Sequence, residues 1–196
     1  MLTIHKSQGG NVPHVALWSE KGERIGQSNP GKSKTKAGGD SIIVIEHSQA
    51  ADENETPGYI MLSNYKVDAI CIAALYITET HTSTAWYGDY GYKCGMSWGL
   101  SKEEIGAERA VPKCVWLDGD GTNGINSQAM SMHIKDMVAN SDRLAQYQEN
   151  PDTMCKSTPR FSFWGDLLPD SRIPIFDPEL EYETDSCTFS DLIIIL

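Results

Sequence analysis

The most apolar stretch of this chain is Asp68-Ala-Ile-Cys-Ile-Ala-Ala-Leu-Tyr-Ile77. Its hydrophobicity is nearly continuous instead of alternating, which favours a β-strand buried on both faces. A turn at Thr80–Ser83 followed by residues 84–90 predicts that this strand forms a hairpin. Such a hairpin would bring Cys71 close to Cys94. We therefore predict a Cys71–Cys94 disulfide, and closing that loop would stabilise the fold by roughly 3 kcal/mol.

Short β-type segments recur between turn signals. They predict further strands at His14–Trp18, Ser41–Glu46, Tyr59–Leu62 and Gln128–Lys135. The last of these alternates, which predicts a half-buried strand with His133 on its polar face. Helix signals are few: a capping box at Ser101–Glu104 predicts a helix to about Arg109, and residues 141–148 predict one or two turns.

Many short strands with little helix predict an all-β fold, namely an antiparallel β-sandwich with one or two short helices. A chain of 196 residues suits one domain, so we expect residues 1–196 to form a single sandwich. Residues 150–196 are rich in proline and aromatic side chains. We expect this part to be an extended C-terminal segment packed across the sandwich.

Charge and apolar run lengths exclude some classes of partner. The net charge of -11 repels phosphate backbones, so nucleic acid is not an expected partner. No apolar run approaches the roughly 20 residues of a membrane-spanning helix. The first residues lack the apolar core of a signal peptide, so an exported form would already have lost its leader. The sequence leaves the oligomeric state open.

The five cysteines form no C-x-x-C pair, which argues against a zinc ribbon. Their odd number leaves one thiol over in a fully paired scheme. Disulfides form and persist in oxidising compartments, so the expected location is secreted and extracellular.

A candidate binding loop comes after a short apolar strand at Asp118-Gly-Asp120-Gly-Thr-Asn123-Gly124. Its oxygen-bearing side chains recur at alternate positions, the spacing that a hard cation such as Ca²⁺ favours. Asp118, Asp120 and Asn123 are therefore the candidate metal ligands, although no EF-hand is formed because Ala129 replaces the final glutamate. Two alternatives remain: a sugar-binding loop beside a stacking Trp116, and a tight turn that uses Asp, Asn and Gly for their backbone tolerance.

The ligand-binding candidates are side chains of the Gly/Asp-rich loops with the nearby tryptophans and histidine: Trp86, Asp89, Trp116, Asp118, Asp120, Asn123 and His133. The catalytic candidates, if the protein is an enzyme, are Asp89, Asp120 and His133. Such an enzyme would be a small secreted hydrolase that uses carboxylates and an imidazole as acid, base or metal ligands.

Two segments match known motifs letter for letter but lack the structural context that the motifs require. Residues 26–33 match a phosphate-binding loop, but residues 34–40 cannot form the helix that this mechanism needs. Gly95-Met-Ser97-Trp-Gly99 matches the nucleophile elbow of serine hydrolases, but a polar, glycine-rich segment precedes it where a buried strand belongs.

Four blocks of sequence resemble an uncharacterised family of small secreted proteins of filamentous, ascomycete-type fungi. The blocks are residues 14–26, 68–73, 86–91 and 114–124, the last leading to Met132-His133. The resemblance covers roughly residues 12–137 and implies secretion and a disulfide-bearing β-rich fold. It carries over no catalytic residue.

Together these features predict a secreted recognition protein that binds a glycan or a cell-surface ligand through its Asp/Asn/Gly-rich loops. The hydrolase described above is the alternative. A third possibility is an interaction protein whose C-terminal strand Leu192–Leu196 adds to a partner's sheet.

Overall fold

The structure, a computed structural model, describes residues 2–8, 12–28, 40–46, 48–49, 55–78 and 83–180. Within these ranges the chain is mostly β, as predicted, and forms two antiparallel sheets that share an apolar core. Its strands are β1 (Leu2–Gln8), β2 (His14–Trp18), β3 (Arg24–Ser28), β4 (Asp40–Ile43), β5 (Tyr59–Ser63), β6 (Ile70–Thr78), β7 (Ser83–Tyr87), β8 (Trp98–Leu100), β9 (Lys113–Leu117), β10 (Ala129–His133) and β11 (Phe161–Trp164). Its helices are α1 (Gly88–Lys93), α2 (Ser141–Glu149) and α3 (Asp152–Cys155).

β6 is the central strand of the six-stranded sheet because both of its edges are paired. One edge pairs with β1, from Ile77 opposite Leu2 to Cys71 opposite Gln8. The C-terminal half of the other edge pairs with β7, and its first three residues pair with β9. β4 extends the sheet beyond β1, and β8 extends it beyond β9. This position explains the continuous apolar sequence of β6, since side chains on both faces are enclosed.

The second sheet has five strands in the order β11-β10-β5-β2-β3. Its inward side chains pack against those of the six-stranded sheet. The core between the sheets includes Val15, Leu17, Ile60, Leu62, Met130, Met132 and Phe161 from the second sheet, and Ile4, Ile70, Ile72, Leu75, Trp86, Val115 and Leu117 from the first.

The outward face of the five-stranded sheet is also buried, by part of the C-terminal segment expected to pack across the sandwich; residues 150–164 of that segment include α3 and β11, and residues 181–196 lie outside the described ranges. A second apolar cluster forms there from Ala16, Trp18, Tyr59, Met61, Ala129 and Ile173, with Trp164, Leu167, Ile175 and Phe176 packed against it. Residues 165–180, which contain no helix or strand, supply the cover. The expectation that His133 lies on a polar, half-buried face is therefore wrong, because all five residues of β10 are buried.

The predicted Cys71–Cys94 disulfide is wrong. The structure joins Cys71 to Cys114 and Cys94 to Cys155. The hairpin of β6 and β7 forms as expected, but its second strand ends at Tyr87. The chain then turns into α1, which carries Cys94 away from the sheet, while Cys114 on β9 lies beside Cys71. The fifth cysteine, Cys187, lies outside the described residues.

The predicted helix at residues 101–109 is also wrong. The Ser101 hydroxyl does accept a hydrogen bond from the Glu103 amide, but no helix forms after it. Instead Ile105 and Ala110 form an isolated antiparallel bridge, and Gly106 and Arg109 adopt left-handed backbone conformations between them. The helix predicted at residues 141–148 is confirmed as α2. The Asn140 side chain caps its N-terminus by accepting bonds from the amides of Asp142 and Arg143.

Among the described residues, no helix is long and apolar enough to cross a membrane. The strand proposed at Leu192–Leu196 lies outside them, as do residues 29–33 of the phosphate-loop match.

Replacing Cys71 and Cys114 together by alanine is expected to lower the free energy of unfolding by about 4 kcal/mol, because the bond closes a loop across a sequence separation of 43 residues. Urea denaturation of the double variant checks this value. Non-reducing peptide mapping of the unmodified protein gives the control, and recovery of a cross-linked peptide containing Cys71 and Cys94 would contradict the pairing.

Candidate functional site

The acidic loop predicted as a binding element connects β9 to β10 and is held by its own side chains. Asp118 Oδ2 accepts hydrogen bonds from the Thr122 amide and hydroxyl, both at 2.9 Å. Asp120 Oδ1 accepts a bond from the same amide at 3.2 Å. Gly121, Asn123 and Gly124 all have positive φ angles, which glycine and asparagine tolerate better than other residues.

Neighbouring main chain anchors this loop to the sandwich. The Gly119 amide donates to the Lys66 carbonyl at 3.1 Å, and the Gln128 side chain donates to the Gly119 carbonyl at 2.8 Å. A Cβ at Gly119 would lie only 2.5 Å from the Lys66 oxygen, so only glycine permits this approach. The loop therefore has a fixed position relative to the sheet.

An open cavity lies beside the loop at one end of the six-stranded sheet, and we call it the aromatic groove. Its volume is about 580 Å³, within the range of roughly 300–1,000 Å³ that is typical of small-ligand sites. It is lined by Ala69, Ser97, Trp98, Trp116, Asn123 and Ile125. Two indole rings and one carboxamide thus share a surface that solvent can reach.

Trp98 is the most exposed of the groove's aromatic side chains, at 44% of its full accessibility. Its ring is nevertheless held in place. Tyr92 of α1 packs against it edge to face at 4.9 Å, and Lys113 Nζ lies 5.7 Å from its ring centre. Asp89 in turn accepts bonds from the Lys113 amide and ammonium group, each at 3.3 Å. Asp89 therefore orients Lys113, which lies beside the groove, and does not itself line the groove.

Trp116 projects from β9 on the outer face of the sheet, where it packs beside the Cys71–Cys114 disulfide. Gly99 of β8 leaves room for it. A Cβ on Gly99 would lie 3.0 Å from the indole nitrogen and 3.4 Å from both sulfur atoms. The disulfide and the glycine together fix the ring, so it needs little ordering when a ligand binds.

His133 lies on the other sheet in a buried ionic cluster. Its Nε2 and Nδ1 are each 2.9 Å from a carboxylate oxygen, of Glu20 and Asp136 respectively. Lys135 Nζ lies 2.9 Å from the second Glu20 oxygen, and Arg160 lies 3.8 Å from the second Asp136 oxygen. Two carboxylates at the two ring nitrogens favour the doubly protonated imidazolium, because each N–H then donates to an acceptor.

Burial and charge act in opposite directions on this cluster. Burial alone would lower the pKa of His133, but hydrogen bonds to Asp136 and Glu20 outweigh it and raise that pKa. Burial would raise the pKa of Glu20, yet its bonds to His133 and Lys135 lower it overall. Both shifts favour the charged forms of His133 and Glu20.

Aromatic rings close the space around His133. Tyr59 lies 4.7 Å from the imidazole, ring centre to ring centre, and Phe176 of the C-terminal segment lies 5.5 Å from it. The Tyr59 hydroxyl accepts the Phe176 amide at 2.7 Å, and burial raises the pKa of Tyr59 to about 12. The His133 side chain is 0% exposed, so a ligand in solvent cannot reach it in this arrangement.

The structure separates the predicted site residues into three groups. Trp116 and Asn123 line the aromatic groove, while Asp118 and Asp120 lie in the adjoining loop. Asp89 supports the groove through Lys113. Trp86, at 1% exposure, belongs to the core between the sheets, and His133 lies in the buried cluster. Neither Trp86 nor His133 faces solvent in this structure, because both side chains are enclosed.

Sequence reasoning missed Trp98 and Ser97 as groove residues. The available signal was Gly95-Met-Ser-Trp-Gly99, whose match to a nucleophile elbow gives no indication of a groove. In the structure a helix precedes this segment and β8 begins within it at Trp98, the reverse of that motif's strand-to-helix turn. The Ser97 hydroxyl donates to the Gly124 carbonyl at 3.4 Å, which connects β8 to the acidic loop.

The proposed catalytic groups do not meet in one cleft. Asp89 is bonded to Lys113 beside the six-stranded sheet, and Asp120 lies in the exposed loop. His133 is enclosed on the five-stranded sheet. Within the described ranges, no group of three or more His, Cys, Asp or Glu side chains is placed to hold a metal ion.

A smaller cavity of about 260 Å³ lies beside the Cys94–Cys155 disulfide, with Met96, Phe161 and Phe163 in its wall. It falls below the usual size of a small-ligand site, and no tryptophan lines it. The aromatic groove is therefore the better candidate site. Comparison of the chain with family descriptions, with curated proteins and with solved structures finds no match.

The raised pKa of His133 predicts a loss of stability at alkaline pH. The imidazolium stabilises the fold fully below its unfolded pKa of about 6.5, and this contribution is lost as pH rises through the higher folded value. Urea denaturation between pH 5.5 and 9 should show this decline in the wild-type protein.

His133→Gln is the comparison variant. We expect it to lose about 3–5 kcal/mol at neutral pH, because it removes the cation between two buried carboxylates. We also expect its stability to decline less steeply with pH. Parallel pH profiles for the two proteins would contradict the assignment.

Proposed function

We propose that this protein is a secreted, non-catalytic recognition protein that binds neutral glycans of a cell surface or cell wall in the aromatic groove. The observation that carries the proposal is the placement of Trp98, Trp116 and Asn123 around one open cavity. Each side chain suits a different part of a sugar.

The indole rings suit the apolar part of a pyranose. One face of such a ring carries mainly C–H groups, which pack on a flat aromatic surface and displace poorly held water. Tryptophan offers the largest such surface of any side chain. Since Trp98 is 44% exposed while held by Tyr92, the cost of ordering it on binding is small.

The carboxamide of Asn123 suits the hydroxyl groups. Its oxygen accepts and its nitrogen donates, so it matches a hydroxyl acting in either role. Its Nδ2 already donates to the Thr122 hydroxyl at 3.1 Å, which orients the amide within the loop. Ser97 adds a hydroxyl group to the same lining.

Charge supports a neutral ligand instead of a polyanion. The chain carries a net charge of -11, and Lys113, the cation beside Trp98, is paired with Asp89. Sulfated glycans and nucleic acids would be repelled by this charge. Neutral gluco-, manno- and chito-oligosaccharides avoid that penalty.

Two features support secretion. Both disulfides join elements distant in sequence, and such bonds persist in oxidising compartments. The resemblance to small secreted fungal proteins points the same way. Purification from culture medium of the source organism, with both bonds present, is the expected result.

The binding proposal is tested on an array of neutral oligosaccharides, followed by titration calorimetry with the best ligand. Trp98→Ala and Trp116→Ala are each expected to weaken binding by about tenfold or more, because each removes a stacking surface. Trp98→Phe, which keeps a smaller ring, should fall between wild type and Trp98→Ala.

Leu168→Ala is the control, since Leu168 is a 59% exposed apolar side chain outside the groove. It should bind like wild type. Unchanged affinity in both tryptophan-to-alanine variants would contradict the groove as the binding site. An array on which no oligosaccharide binds would contradict a glycan as the ligand.

A further inference from the structure

We propose that the loop Asp118–Gly124 binds one divalent cation of the Ca²⁺ type, with the carboxylates of Asp118 and Asp120 as its charged ligands. This inference does not rest on glycan binding, because it depends on the electrostatics of the loop alone.

The first observation is an unsatisfied oxygen. Asp118 is only 2% exposed, and its Oδ2 is bonded to the amide and hydroxyl of Thr122, so the carboxylate points into the loop. Its Oδ1 is equally enclosed but has no hydrogen-bond partner among the described residues. A buried carboxylate oxygen without a partner is unfavourable, and a bound ion is one of the few ways to satisfy it.

The second observation is the proximity of another negative charge. Asp120 Oδ1 accepts the same Thr122 amide at 3.2 Å that Asp118 Oδ2 accepts at 2.9 Å. The two carboxylates therefore share a single N–H donor. Two like charges this close repel each other unless a cation lies near them.

The other buried carboxylates of this protein show the contrast. Glu20 is paired with His133 and Lys135, and Asp136 is paired with His133 and Arg160. Among the ion pairs of the described ranges, none includes Asp118 or Asp120. Among the described residues, cationic side chains are therefore paired with the carboxylates of Glu20 and Asp136 and not with those of Asp118 and Asp120.

The donor atoms select the class of ion. Residues 118–124 offer carboxylate, carboxamide, hydroxyl and main-chain carbonyl oxygens, but no imidazole or thiolate. Hard cations prefer such oxygens, and Ca²⁺ accepts an irregular shell of six to eight ligands in which water is included. Mg²⁺ requires a near-ideal octahedron, which a loop with left-handed residues at 121, 123 and 124 is less suited to supply.

The loop adjoins the aromatic groove, so a bound ion would affect the groove as well as the loop. Asn123 and Ile125, which line the aromatic groove, lie a few residues after the two aspartates. A cation held by Asp118 and Asp120 would therefore further stabilise one wall of the groove, which the contacts of Gly119 already position. Binding should stabilise the folded state, because the unfolded chain lacks this arrangement.

The test is calorimetric titration of metal-free, EDTA-treated protein with CaCl₂, with thermal unfolding measured in parallel. We expect one site per chain with a dissociation constant of about 10⁻⁴–10⁻³ M, the range of extracellular calcium modules. Asp118→Asn keeps the size of the side chain and an acceptor for Thr122 but removes the charge. It should weaken Ca²⁺ binding by about tenfold or more, since affinity depends on the ligand charge.

Asp166→Asn is the matched control, because Asp166 is an exposed aspartate outside the loop, and it should bind Ca²⁺ like wild type. If Asp118→Asn does not fold, Asp120→Asn decides, because Asp120 is exposed and its replacement keeps an oxygen for the Thr122 amide. Absence of binding heat up to 10 mM Ca²⁺ (about tenfold above the expected range), or wild-type affinity in the deciding variant, would overturn the proposal. Calcium binding without any glycan binding would contradict only the function proposed above.

Discussion

The pairing of both edges of β6 is the constraint on which the rest of the structure depends. Because β7 occupies only the C-terminal half of one edge, β9 can pair with the other half. The Cys71–Cys114 bond then links β6 covalently to β9 within the part of β6 that pairs with β9. β9 ends at the acidic loop and pairs with β8, so Trp116 and Trp98 come to lie at the same end of the sheet.

The two sides of the sandwich have different roles. On the five-stranded sheet, residues 165–180 enclose an ionic cluster around His133 in which each carboxylate is paired with cationic groups. Such a cluster is costly to bury but also costly to disrupt, which suits a structural role. On the six-stranded sheet, the groove and the acidic loop leave aromatic and anionic groups at the surface. Any ligand is therefore expected on that side.

Several elements could be predicted from the sequence because their signals are local. β2 occupies the predicted residues 14–18, β6 is the expected doubly buried strand, and α2 begins after its capping residue. Trp116 and Asn123 of the Trp-flanked Asp/Asn/Gly pattern both line the groove, and their role in ligand binding stays a prediction. In each case neighbouring residues in the chain supply the information.

Apart from the helix wrongly predicted at residues 101–109 from a local capping signal, the errors concern contacts between distant parts of the chain. The glycines at 88 and 91 suggest a continuing polar segment, but they allow α1 to pack closely on β9, since a Cβ on either would collide with it. That helix redirects Cys94 to Cys155. Likewise, the C-terminal segment is expected to pack across the sandwich, but the sequence does not specify that it covers the polar face of β10 and encloses His133. The alternation of polar and apolar residues within a strand does not show which face is buried by residues distant in sequence.

The central claim is that Trp98 and Trp116 are the ligand-contacting tryptophans of this protein. The most direct measurement is a ¹H–¹⁵N spectrum of the indole N–H groups, assigned by single substitutions and recorded during titration with a bound oligosaccharide. We expect the signals of Trp98 and Trp116 to move while that of the core residue Trp86 stays in place. Shifts confined to Trp18, Trp86 or Trp164 would place the ligand elsewhere and contradict the account.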